Sequence, residues 1–358
     1  MGITGVFSEV AMRGHEQVNF FNYPAVGLKA IVAIHNSVLG PALGGCRMRV
    51  YLDEAQALED VLRLSEGMTY KKSVAGMDLG GGKACIILDP NWKGDPAARA
   101  ALFKQFGQCL NSLAGRYYTA EDMGTSPSDM HHVREVTSFV VGFPIAEGGS
   151  GDPSPWTARG VFNSIEAVCA RVFKSQDLSQ RSVAIQGVGH VGLPLVRKLR
   201  EVGARVVVAD TNQSALDEAR DKFGAEVVAL EQIYDADCEV FAPCAIGQTV
   251  NAETLPRLKS RIICGAANNQ LVDASLYSQL ADKKIVYCPD FVVNAGGVIS
   301  VGAELRAGGW DEAWVSAKVR AIGETTERII AESESTGRPT EAIALELARK
   351  RIAEYKKS

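Results

Sequence analysis

The sequence predicts a two-domain α/β protein: an N-terminal α/β domain, then a doubly wound parallel sheet with helices on both faces, and a cleft between the two. Three observations predict it. The chain has 358 residues, more than the ~100–150 of a typical single domain. Beyond residue 160, short apolar runs alternate with amphipathic stretches, the pattern of parallel strands joined by crossover helices. Over 143–160, the segment FPIAEGGSGDPSPWTARG is dense in Gly, Pro and Ser and reads as a hinge. The first domain is therefore expected over 1–145, rejoined by a C-terminal helix over 337–358, and the second over 146–336.

In the first domain, residues 28–35 (LKAIVAIH) read as a strand, followed by the glycine-rich turn LGPALGGCRMR at 39–49, which brings backbone close to another group. Asp53 is the N-cap expected for a helix whose apolar residues Ala55, Leu58, Val61, Leu62 and Leu64 recur at helical spacing and which should end near Gly67. In GMDLGGGKACIILDP, three consecutive glycines lead through Lys83 into a buried strand. A helix over 96–113 and the strand-like RYYTAED follow. The second domain should hold a helix to about 174, the strand SVAIQG, a helix over 190–202, the strand RVVVAD and a helix over 213–222. Short strands at EVV, CEVFAPC, RIICGAA and KIVYCPD come next, and helices over 311–336 and 340–355 close the chain.

Charge and cysteine usage exclude several functions. The 38 basic and 42 acidic residues are spread without a basic block, so neither nucleic acid nor a membrane surface is an expected partner. The eight cysteines form no CxxC pair and no zinc spacing, so no metal is expected. The start MGITGVFSEVAMRGHEQ lacks the features of a signal peptide, and no run reaches the ~18 apolar residues of a membrane span. A reducing cytoplasm fits these readings.

The segment SVAIQGVGHVGLPLVRKL places Gly187, Gly189 and Gly192 in the order GxGxxG between a strand and a helix. Gly187 permits the tight turn, Gly189 lets backbone approach a pyrophosphate, and Gly192 lets helix and strand pack closely, with the helix N-terminus favouring negative charge. Asp210 closes the next strand, about 20 residues on, where a carboxylate accepts the ribose hydroxyls of NAD and repels a 2′-phosphate. A Rossmann domain binding NAD rather than NADP is the expectation.

Two lysines and an aspartate frame the chemistry. Lys83, between three glycines and ACIIL, is expected to be partly desolvated and suited to general base work, and Lys71, 12 residues earlier, to hold a substrate carboxylate. Lys72, one position away on the helix, reads as a solvated side chain. Asp122 in TAEDMGTS is placed to exchange protons with an amine, with Glu121 as its decoy.

With LGPALGGCRM, GMTYKKS, GGGKACI, TAEDMGT, GVGHVG, FAPCA, GAANNQ and CPDFVVNAGG in this order, the chain resembles the Glu/Leu/Phe/Val dehydrogenase family, its leucine dehydrogenase-like branch above all. The resemblance implies reversible NAD-dependent oxidative deamination of an L-amino acid to a 2-oxo acid and ammonia. It further implies a homo-oligomer, from dimer to octamer, that closes an interdomain cleft over its substrate. Under it, Gly44 and Gly45 form the floor of the amino-acid site, Lys71 binds the α-carboxylate, Lys83 activates a water and Asp122 shuttles protons. Asn268 bridges nicotinamide and substrate. Val188, His190, Val191, Thr157, Cys244, Ala245, Ala267 and Asn294 join the cofactor contacts.

By the same resemblance Leu43, Ala120, Val298 and Val301 line the side-chain pocket, and they favour leucine, isoleucine and valine. Glutamate is disfavoured, since no further cation is evident there and glutamate dehydrogenases are usually longer chains. Trp156, Arg49 and Arg159 are departures that keep phenylalanine and tryptophan open. A 2-hydroxy-acid or imine reductase would want a His–Asp/Glu pair, which His15, His35, His131, His132 and His190 do not offer in any motif. A non-catalytic NAD-binding protein would not need the lysines with Asp122.

Overall fold

The computed structural model describes residues 5–92 and 94–355, so the opening tetrapeptide of the segment read for a signal peptide lies outside the described residues. The chain divides into two compact units. The first comprises Met1–Asp152, Val301–Asp311 and Ala348–Ser358, and the second Pro153–Ser300 and Glu312–Leu347. Among the described residues, no helix is long and apolar enough to cross a membrane.

The first unit contains α1 (Val6–Arg13), β1 (Gln17–Tyr23), β2 (Leu28–Asn36), β3 (Ala42–Leu43), β4 (Cys46–Arg49), α2 (Glu54–Val74), β5 (Gly80–Ile87), α3 (Pro96–Asn111), β6 (Tyr117–Tyr118) and α4 (Pro127–Arg134). Its sheet runs β1-β2-β5-β3-β6, with β4 also paired to β5. Strands β1 and β2 are antiparallel, as are β2 and β5, whereas β3 and β4 run parallel to β5. Alternation along β2 sends Leu28, Ala30, Val32 and Ile34 to the face covered by Phe103, Phe106 and Val133, and Ile31 and Ala33 to the face covered by Leu58, Val61 and Leu62. Both faces are covered, which is why LKAIVAIH reads as an almost unbroken apolar run.

Asp53 caps α2 by accepting the Gln56 N–H at 2.8 Å. The helix does not stop at Gly67; it continues to Val74. A Cβ at Gly67 would meet nothing within 4 Å. Past it, the helix is held by burial of Thr69, Lys72 and Ser73 and by the Ser73 Oγ bond to Ala348 O at 2.7 Å, so packing outweighs the modest cost of a helical glycine.

The second unit begins with α5 (Ser154–Phe173), which already includes residues 154–160 of the Pro- and Gly-rich segment read as a hinge, because Pro at the first turn costs a helix nothing. Along the chain then come β7 (Ser182–Gln186), α6 (Gly192–Glu201), β8 (Arg205–Ala209), α7 (Gln213–Phe223), β9 (Glu226–Val227), β10 (Val240–Pro243), β11 (Ile262–Ile263), α8 (Leu276–Asp282), β12 (Val286–Tyr287), α9 (Asp290–Val293), α10 (Gly296–Gly302), α11 (Glu312–Thr336) and α12 (Thr340–Tyr355), with the ends of α10 and α12 belonging to the first unit. The sheet order is β12-β11-β10-β7-β8-β9, parallel throughout. This is the doubly wound arrangement, with the chain reversing direction across the sheet between β7 and β10. Separate apolar clusters cover its two faces, Val183, Ile185 and Leu195 on one and Val207, Phe241 and Ile263 on the other.

Candidate active site

In the first unit, β3 and β4 form one strand line beside β5, broken at Gly44 and Gly45. The break is sterically required. A Cβ on Gly44 would sit 1.7 Å from Gly82 O, and one on Gly45 would sit 2.4 Å from Glu121 O and 2.8 Å from Asp122 Cβ. Backbone bonds fix this close approach on both sides: Gly44 N–H to Tyr118 O at 3.1 Å, Cys46 N–H to Ala120 O at 2.8 Å, and Ala84 N–H to Gly45 O at 3.3 Å. The GGG segment and the 120–122 segment are thereby held either side of the same two glycines.

Lys83 and Asp122 meet across that line, Nζ lying 2.8 Å from Oδ1. Lys83 is buried, with 5% of its surface exposed, as its apolar flanks predict. The other oxygen of Asp122 accepts from Arg47 Nε at 2.9 Å. Arg47 Nη1 in turn donates to Asp60 Oδ2 at 3.0 Å, and Asp60 also receives Tyr51 Oη at 3.1 Å and Arg63 Nη2 at 3.0 Å. Burial would push the Asp122 carboxyl upward, but the charges of Lys83 and Arg47 and the hydrogen bonds from both hold it below the ordinary carboxylate range. Thr125 Oγ1 accepts the Asp122 N–H at 2.9 Å and fixes the turn that carries it. Glu121 is exposed, its backbone bridging Cys46.

Lys71 is half-buried in the last turn of α2, close enough to Lys72 for their charges to interact. Lys72 itself overturns the expectation of a solvated side chain. It is fully buried and donates from Nζ to Gly80 O at 2.6 Å and to Leu43 O. The last turn of α2 packs against β5 on one side and is tied to the C-terminal segment on the other, where Arg351 Nη1 donates to Met77 O at 2.7 Å. The side of the helix that carries Lys72 and Ser73 does not face water there. Burial, then the charges of Lys83 and Lys71, push the Lys72 amine well below the usual lysine value.

Among the predicted pocket residues, Leu43 is buried, while Ala120, Val298 and Val301 are half-buried, the two valines on α10. Sequence reasoning missed Gly302, where a Cβ would come within 2.4 Å of Met77 Cε, 2.9 Å of Leu79 Cδ1 and 3.5 Å of Leu43 Cδ2. Leu43, Met77 and Leu79 thus form one apolar wall against the Gly302 backbone. Arg47 and Asp60 were missed as well. Of the other cations noted in sequence, Arg49 lies over the Tyr51 ring at 5.0 Å and Arg159 over the Trp156 ring at 5.7 Å.

In the second unit the glycine turn has the form a dinucleotide needs. Gly187 has φ +96°, which suits glycine, and a Cβ there would come within 2.6 Å of Ala245 Cβ. A Cβ on Gly192 would strike Gly187 O at 1.9 Å, so helix and turn pack as the fingerprint requires, whereas the Gly189 position opens onto free space. Asp210 Oδ2 accepts Val188 N–H at 2.7 Å and its Oδ1 accepts Asn212 N–H at 2.8 Å, which pins the carboxylate beside the turn. The Val188 side chain is buried in the core, Val191 is half-buried against it, and His190 is exposed.

Cys244 N–H donates to Gln186 O at 2.7 Å and Ala267 N–H to Pro243 O at 2.9 Å, so Cys244 follows the C-terminal end of β10 and Ala267, beyond β11, is held beside it. Ala245 and Asn268 are exposed. Asn294 Nδ2 donates to Asn268 Oδ1 at 2.8 Å and to Ala266 O at 3.0 Å, while its own Oδ1 is buried and accepts nothing. A buried amide oxygen without a donor fits the carboxamide N–H of a nicotinamide. Thr157, in the first turn of α5, donates to Pro153 O at 3.3 Å, and its hydroxyl would lie 2.6 Å from a Cβ on Gly297.

Residues 15–139 match the Glu/Leu/Phe/Val dehydrogenase dimerisation domain, and residues 148–221 and 209–358 match the Glutamate/Leucine/Phenylalanine/Valine dehydrogenase domain. Leucine dehydrogenase of Bacillus subtilis (strain 168) is 42% identical over 99% of the chain and 95% of its own length. Phenylalanine dehydrogenase of Caldalkalibacillus thermarum (strain TA2.A1) is 45% identical over 94% of the chain and 91% of its own. The crystal structure of L-tryptophan dehydrogenase from Nostoc punctiforme superposes with a TM-score of 0.86 at 39% identity, covering 98% of this chain and 100% of that one. The protein is an NAD-dependent amino-acid dehydrogenase, with a glycine turn and Asp210 that fit that cofactor. With both domain matches in order along nearly the whole chain, it belongs to the Glu/Leu/Phe/Val dehydrogenase family.

Proposed function

We propose that the protein catalyses the reversible oxidative deamination of a branched-chain aliphatic L-amino acid, leucine foremost, to its 2-oxo acid and ammonia. The observation that carries the chemistry is the 2.8 Å pair of Lys83 Nζ and Asp122 Oδ1 beside Gly44 and Gly45. NAD⁺, when bound, accepts the hydride from the substrate Cα. Lys71 holds the α-carboxylate, and the backbone of Gly44 and Gly45 forms the floor. Asp122, kept anionic by its two cations, takes a proton from the substrate ammonium, so that the amine can become an imine. Lys83 as base removes a proton from the water that attacks the imine carbon. Asp122 returns its proton to the nitrogen, and the carbinolamine collapses as its hydroxyl proton leaves to solvent, giving 2-oxo acid and ammonia.

The first unit acts as the substrate domain in this reading and the second as the cofactor domain. Gly187, Gly189 and Gly192 hold the pyrophosphate, with Val188, His190 and Val191 in the same turn; Asp210 holds the ribose. Thr157, Cys244, Ala245, Ala267, Asn268 and Asn294 surround the nicotinamide. The dimerisation-domain match supports a homo-oligomer, and the eight free cysteines suit a reducing cytoplasm.

The apolar wall of Leu43, Met77 and Leu79 supports an aliphatic side chain. The second reading, an aromatic substrate, is supported by phenylalanine and tryptophan dehydrogenases being about as similar as leucine dehydrogenase. The test is an NADH absorbance screen over the common L-amino acids, with NADP⁺ in parallel. Leucine, isoleucine or valine should give the highest kcat/KM with NAD⁺. A higher value with phenylalanine or tryptophan replaces the first reading with the second, and no reduction with any amino acid overturns both.

A further inference from the structure

Asp122 is gripped from both sides, and only one side belongs to the reaction. Lys83 on β5 must change its protonation state if it is the base, so it cannot present a constant charge to Asp122 through the cycle. Arg47 on β4 can, because a guanidinium does not titrate in the working range. Its geometry is that of a fixed strut. Nε reaches Asp122 Oδ2 at 2.9 Å, and Nη1 reaches both oxygens of Asp60 at 3.3 and 3.0 Å. Asp60 is anchored independently by Tyr51 Oη and Arg63 Nη2. The Arg47 and Asp60 side chains are only 16% and 14% exposed, so solvent screens their charges little. Beyond Asp60 the row opens into a small cavity of about 170 Å³ lined by Arg49, Tyr51, Gln56, Glu59, Asp60 and Arg63.

We propose that Arg47 is a positioning residue for the reaction: with Asp60 as its anchor, it orients the Asp122 carboxylate towards Lys83 and keeps it anionic until it takes the substrate's proton. The inference rests on the role of Asp122 proposed above. The titratable groups facing Asp122 are Lys83 from β5, Arg47 and Cys46 from β4 and Tyr117 from β6. Burial first, then neighbouring charge, pushes the Cys46 thiol and the Tyr117 phenol well up, so both stay neutral and the two cations alone decide the charge of Asp122.

The experiment compares Arg47→Gln, Arg47→Lys and Asp122→Asn in the full chain, reading the pH profile of kcat/KM, kcat at its plateau and NAD⁺ affinity. In Arg47→Gln the acid limb should move to higher pH by about one pH unit or more, since a cation beside the carboxylate has been removed. NAD⁺ affinity should stay at the wild-type value. In Arg47→Lys the limb should remain in place, but plateau kcat should fall roughly tenfold or more, because one ammonium cannot span Asp122 and Asp60. An acid limb unmoved in Arg47→Gln overturns the inference. If that variant does not fold, wild-type kcat in Arg47→Lys overturns it, and a lowered kcat on an unmoved limb supports it. Wild-type turnover in Asp122→Asn would instead overturn the role of Asp122 itself; an inactive Asp122→Asn beside an unmoved Arg47→Gln removes only Arg47.

Discussion

The two units build their sites from opposite materials. In the first, charged side chains are paired with one another: Lys83 with Asp122, Asp122 with Arg47, Arg47 with Asp60. In the second, the turn is backbone, with a pinned carboxylate at Asp210, and Asn294 Oδ1 is among the buried amide oxygens that accept nothing from the described residues. A network of paired charges carries proton chemistry and is intolerant of losing a member, since each loss leaves a partly buried charge without its partner. A glycine turn carries shape, and its substitutions act on affinity and choice of cofactor. The comparison therefore assigns rate to the first unit and selectivity between cofactors to the second.

The largest expected effect tests the first half of that assignment. Lys83→Ala removes the proposed base and strands Asp122 with Arg47 alone, so turnover should fall by about 10²–10⁴-fold. Stopped-flow NADH formation with the best amino acid measures it, alongside NAD⁺ affinity by fluorescence. Affinity should be unchanged. Wild-type turnover would remove Lys83 from the base role, and a parallel loss of NAD⁺ binding would break the division between the units.

A smaller effect tests the second half. Asp210→Ala takes away a charged acceptor at the end of β8 and its repulsion of a 2′-phosphate. The ratio of kcat/KM for NAD⁺ over NADP⁺ should narrow by about 10–100-fold, the range of one hydrogen bond to a charged group. The amino-acid preference should not move. An unchanged cofactor ratio would leave Asp210 as a purely structural clasp for Val188 and Asn212.

The same contrast governs what could be read from sequence. The second unit was legible because a parallel sheet covered on both faces writes itself as short apolar runs, and SVAIQG and RVVVAD became β7 and β8 nearly residue for residue. Its glycines carry their reasons locally. In the first unit, β1 was missed: QVNFFNY is an antiparallel edge strand with mixed polar and aromatic residues and no clean alternation. Lys83 and Asp122 could be singled out from their flanks, but their pairing depends on Gly44 and Gly45 being squeezed between β5 and the 121–122 backbone. Arg47 gave no signal. In CRMR it alternates outward like Arg49, and only the sheet order turns its side towards Asp122.

Lys72 is where helical spacing misled, and it offers the finest test of how the first unit holds charge. A residue next to Lys71 on a helix points about 100° away, which suggests solvent only if that side of the helix is open. Here it faces Leu43 O at the end of β3 and Gly80 O at the start of β5. Its amine is pushed well below the usual value of 10.5, so the folded protein holds it neutral over a window in which the unfolded chain protonates it. Within that window the unfolded state binds the extra proton, so stability rises with pH and falls as pH is lowered. Lys72→Met lacks this term and removes the Nζ bonds to both carbonyls. The wild type should therefore gain on the variant by at most ~1.4 kcal/mol per pH unit between the depressed value and the ordinary one. Urea midpoints at pH 7, 8 and 9 measure the difference. A difference that stays constant or shrinks as pH rises would mean that Lys72 is charged in the folded state, and that the first unit buries an unpaired cation beside Lys83 rather than a neutral amine.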